Sequence, residues 1–219
     1  CYLIIESIKN SDRKIENFEQ KAMIALTALI NFDASTKTFA SAAKQFYPLL
    51  SSGQIDIQKV CTSFFAKLGH KEMNLGRIFI DTFCSFLTTV DDSRVNDIDG
   101  FSKAAASIIV SVESSTVIDS SIEKVKKVIT SFLNENNFAN CKMSMGYLLL
   151  ASLTKRRKGY DMIPFVFNFT QSYLKTLPKR KIDRFMKKTI KYISLYFLQI
   201  LLNPPSHSEK LTPTIRYFI

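Results

Sequence analysis

Apolar residues recur at three- and four-residue spacing along almost the whole chain, and little interrupts them. Phe79, Phe83 and Phe86 form one such set, and Ile122, Val125, Ile129 and Phe132 form another. Each set falls on one side of a helix of about 3.6 residues per turn. Six glycines, six prolines and no Trp among 219 residues leave too few breakers for a turn-rich all-β fold. An all-α fold is therefore expected.

The period places helices at about residues 12–30, 35–50, 55–68 and 71–90. The polar run Asp91 to Asp97 then breaks the pattern. Asp99 is expected to cap a helix reaching Val112, and Asp119 or Ser120 the next, which ends near Asn134. Phe138 to Lys155 follows, then Asp161 to Leu177 with Pro164 in its first turn. Pro178 is expected to open the last long helix, which stops at Asn203-Pro204-Pro205. Residues 1–205 are thus expected to form a single helical-repeat domain, followed by an irregular tail at 206–219.

Helix starts recur at intervals that suggest stacked antiparallel pairs, the signature of an α-solenoid. One unit, near residues 39–69, resembles a HEAT repeat. Tyr47-Pro48-Leu49-Leu50 stands for its first helix, and Asp56, Val60, Phe64, Leu68 and Gly69 for its second. Cys61 stands where the repeat usually carries Arg or Lys. The resemblance implies a HEAT- or armadillo-like architecture and a role in binding extended partners. A compact irregular bundle is the alternative.

Charge is unevenly distributed. Residues 1–141 are near neutral, whereas residues 142–191 hold 13 Lys or Arg and only Asp161 and Asp183 as acids. Nearly all of the formal +11 lies there. Two clusters stand out: Lys155, Arg156, Arg157 and Lys158, then Lys179, Arg180 and Lys181. Arg180, Arg184, Lys187, Lys188 and Lys191 share one expected helix face, opposite Ile182, Met186, Ile193, Phe197 and Ile200. If the helices stack, the two groups are expected to form one continuous patch. Such a surface suits phosphates of RNA or DNA, or an acidic protein segment. An anionic membrane is a weaker candidate. Tyr160 beside the first cluster is placed either to stack on a base or to pack. The basic clusters also resemble nuclear-import signals, so a nuclear or nucleolar site is expected.

Enzymatic chemistry finds no support. The glycines are scattered and form no phosphate-cradling loop. His70 and His207 lack partners at ligand spacing. Asp97-Ile98-Asp99-Gly100 resembles part of a calcium loop, but Val95 and Ala106 occupy two essential ligand positions. Cys1, Cys61, Cys84 and Cys141 form no CxxC pair. Cys61 and Cys84 fall on apolar faces and are expected as small buried hydrophobes in a reducing compartment. Neither metal nor other cofactor is expected. Ile193 to Leu202 is too short to span a bilayer. The start at Cys1 is read as that of a fragment of a longer protein. A non-enzymatic scaffold contacting RNA or DNA is the first expectation, and a protein-interaction or transport adaptor the second.

Overall fold

The computed structural model describes residues 28, 30, 31, 36–113, 115–134, 137, 140–177 and 182–205. Among these residues the regular backbone is helical, and helices pack on helices. The α-helices are α1 (Thr36–Lys44), α2 (Tyr47–Leu50), α3 (Ile55–Lys71), α4 (Met73–Thr89), α5 (Val95–Ser111), α6 (Ser115–Phe132), α7 (Cys141–Lys155), α8 (Ile163–Thr176) and α9 (Arg184–Leu202). A 3-10 turn, Tyr160–Met162, leads into α8. The chain divides into two compact units, Cys1–Val125 and Lys126–Ile219. The expected helix at 12–30, except its last residues, and the expected tail at 206–219 lie outside the described residues.

In the first unit α3, α4 and α5 each pack on the other two. Only Glu72, in extended conformation, separates α3 from α4. So short a link folds the two helices back on each other. At this bend a Cβ on Gly69 would stand 3.1 Å from the Cα of Gly76. Phe65 lies at the centre of the core, its ring 5.1 Å from that of Phe79 and 5.2 Å from that of Phe83. In the HEAT-like unit the expected first helix is broken at Gln45-Phe46, and Pro48 sits in the first turn of the short α2.

Neither of the two expected caps in this part of the chain opens its helix. Asp99 does not cap α5, which begins four residues earlier at Val95. Ile98, just before Asp99, is already buried in the core, so burial extends the helix back past Asp99. Asp99 instead accepts a hydrogen bond from Lys103 Nζ one turn on, at 2.5 Å. Likewise α6 begins at Ser115, before Asp119 and Ser120, because Val117 and Ile118 are buried.

The second unit is built on α7. Its sequence from Met143 to Leu153 is apolar or small on every side, and most of the helix is buried. A helix without a polar face belongs in an interior. Asn140 caps it, its side-chain oxygen accepting the Lys142 N–H at 2.9 Å. Helix α9 packs along α7. The rings of Tyr147 and Tyr196 lie 6.5 Å apart, and Tyr160, just beyond α7, donates its hydroxyl to the carbonyl of Asn203, just beyond α9. The two helices therefore run parallel.

Candidate anion-binding surfaces

The first basic cluster closes α7 as a turn. The Lys158 N–H donates to the Leu153 carbonyl at 3.0 Å and the Arg157 N–H to Thr154 at 2.8 Å. This is the Schellman pattern, which needs a residue with positive φ at the position after the cap. Glycine usually serves there; here Arg157 does, at φ 57. Gly159 follows with φ 76. Lys155 and Arg157 are exposed, and Arg156 and Lys158 half-buried. Cations in the last turn also offset the negative end of the helix dipole.

Tyr160 is tied into this end of the unit through its bond to Asn203. Burial pushes its hydroxyl above the ordinary range, and nearby Arg157 opposes the shift. Its hydroxyl is thus engaged in holding the turn beside the end of α9.

The second basic group lies on α9. The helix starts at Arg184, not at Pro178, because Asp183 is its N-cap and accepts the Met186 N–H at 2.7 Å. Ile182, expected on the buried face, precedes the helix and is 66% exposed. Lys179, Arg180 and Lys181 lie outside the described residues. Arg184, Lys187 and Lys191 are exposed and Lys188 half-buried, opposite buried Met186, Ile193, Tyr196 and Ile200. The Arg184 guanidinium stands 4.7 Å from the centre of the Phe185 ring.

Both acids of the basic stretch are engaged. Asp161 accepts from Lys126 at 2.7 Å, and Asp183 serves as the cap.

The expected continuous patch is not formed by the described cations. Because α7 and α9 run parallel, the turn at 155–158 lies level with Asn203, whereas Arg184 to Lys191 occupy the first turns of α9. At 1.5 Å per residue the two groups are about 20 Å apart along the helix. Sequence separation alone could not show this; the direction of α9 relative to α7 decides it.

Burial pushes the Cys61 thiol up to about 12, and burial with the nearby Asp81 charge does the same for Cys84. His70 Nδ1 donates to the Ser111 carbonyl at 2.9 Å and so joins the end of α3 to that of α5. Among the described residues no group of His, Cys, Asp and Glu could hold a metal ion. No described helix is long and apolar enough to cross a membrane. No protein-family model matches the sequence, and the comparisons match it to neither a curated protein nor a solved structure.

Proposed function

We propose that this chain is a non-enzymatic scaffold of HEAT-like stacked helix pairs in a larger nuclear assembly. It holds protein partners along its helical faces and meets RNA or DNA phosphates through its basic residues. One observation carries the nucleic-acid reading: Arg157 occupies a left-handed position that glycine would fill at lower cost. A non-glycine residue there costs about 1 kcal/mol. Retaining a cation at that cost, within a four-cation turn, favours a use for the charge over mere solubility. The antiparallel α3–α4 hairpin, packed against α5, supports the repeat architecture.

An oligouridine of about 20 nucleotides is long enough to cover such a surface and tests the reading. Fluorescence anisotropy with the full chain should give salt-dependent binding, weakened at least tenfold by Arg156→Glu with Arg157→Glu. Unchanged affinity in that variant would sink the proposal. A second reading, an acidic protein segment as partner, is favoured at α9, where apolar side chains share the exposed face with the cations.

A further inference from the structure

The outward face of α9 changes character along its length. Its first two turns expose Arg184, Lys187 and Lys191. Ile190, beside Lys191, and then Leu198, Leu201 and Leu202 are between 42% and 64% exposed. Ile190, Ser194, Leu198 and Leu201 fall at i, i+4, i+8 and i+11, one stripe on the side away from α7. Single exposed apolar residues are ordinary. Four along one helix cover about 18 Å from Ile190 to Leu202, and with the cations of the first turns they make an amphipathic docking face along α9.

We infer that this stripe seats an amphipathic helix of a partner protein, with apolar residues over Ile190 to Leu202 and carboxylates over Arg184, Lys187 and Lys191. The inference rests on the scaffold reading and specifies one kind of protein partner for it. Helices recognise such stripes through anchors at this spacing. Charge complementarity selects the occupant. A nucleic-acid backbone would satisfy the cations but leave the leucines in water. A second copy of α9 fits poorly in either direction. Parallel pairing would set cation against cation, and antiparallel pairing would set cations against leucines. Helices that lie on membranes carry cations on the polar face along their length, not grouped at one end of the apolar stripe.

The test uses the full chain and two designed helical peptides of about 20 residues, long enough to cover α9. One has glutamates in its first two turns and leucines at i, i+4, i+8 and i+11 beyond them; the other has the reverse order. A control replaces the glutamates with lysines. Calorimetric titration should show binding of at least one glutamate peptide and none of the control. Leu198→Ser with Leu201→Ser, both at exposed positions, should weaken peptide binding at least tenfold and leave oligouridine binding unchanged. Lys187→Glu with Lys191→Glu should also weaken peptide binding.

Failure of both glutamate peptides to bind overturns the inference, as does equal affinity in the leucine variant. So does binding to phosphatidylserine vesicles that the leucine variant abolishes, or a monomer–dimer equilibrium that it shifts. Loss of oligouridine binding in the leucine variant would assign the face to nucleic acid and overturn it too. Peptide binding by a chain that ignores oligouridine would support this inference while refuting the nucleic-acid role.

Discussion

Gly100 has no room for a side chain. A Cβ there would stand 1.9 Å from the carbonyl oxygen of Leu50, which also accepts a hydrogen bond from Gln58 Nε2 at 3.1 Å. Lys103 Nζ donates to Gln58 Oε1 at 2.8 Å and holds that amide in place. The glycine of the calcium-loop-like segment is thus required for close approach of α5 to the end of α2. Gly100→Ala should destabilise the chain by about 3 kcal/mol or more, because backbone must move. Urea denaturation followed by circular dichroism measures it. Arg157→Gly should do the reverse, raising stability by about 1 kcal/mol through relief of the left-handed conformation. The same change should weaken oligouridine binding, which separates the charge from its structural cost.

The buried thiols predict a pH dependence. An ordinary Cys loses its proton near 9.0, whereas Cys61 and Cys84 keep theirs in the fold to about 12. Above pH 9 the unfolded chain therefore binds fewer protons than the folded one. Stability is fully present below that pH and falls as pH rises toward 12. Each thiol should contribute a loss of about 1.4 kcal/mol per pH unit in that window. Urea midpoints at a series of alkaline pH values should show this slope, and Cys61→Ala with Cys84→Ala should reduce it.

At the scale of elements, helix existence was legible, whereas several helix starts were not. The apolar period is local, so α3, α4 and α7 to α9 could be read from spacing alone. Starts depend on a competition between a good cap and the burial of neighbouring apolar residues. Asp99 lost that competition because Ile98 lies in the core. Asp183 prevailed at α9, where exposed Ile182 adds no burial upstream. Asp183→Ala should cost about 1 kcal/mol of stability, and Asp183→Asn much less, since asparagine can still accept the Met186 N–H. Thermal denaturation of the two variants distinguishes a lost cap from a lost charge.

At the scale of the molecule, the parallel course of α7 and α9 separates two groups of cations that adjacency in sequence had suggested were one. Groups about 20 Å apart should act independently. Charge reversal at Arg156 and Arg157 should therefore add, in free energy, to charge reversal at Lys187 and Lys191 when a long oligouridine can reach both. An anisotropy series with the two double variants and their combination measures this. Strong non-additivity would mean that both groups meet the same few phosphates.

Helical class and the concentration of charge in residues 142–191 were both readable from the sequence, because each depends on residue type and short-range spacing. Three features required the tertiary structure: the tight approach at Gly100, the separation of the basic groups, and the exposed leucines at the end of α9. Each depends on which distant helices become neighbours and in which direction they run. An apolar residue at helical spacing looks the same in sequence whether another helix covers it or not. Packing with α7 buries one side of α9 and leaves Leu198, Leu201 and Leu202 on the other.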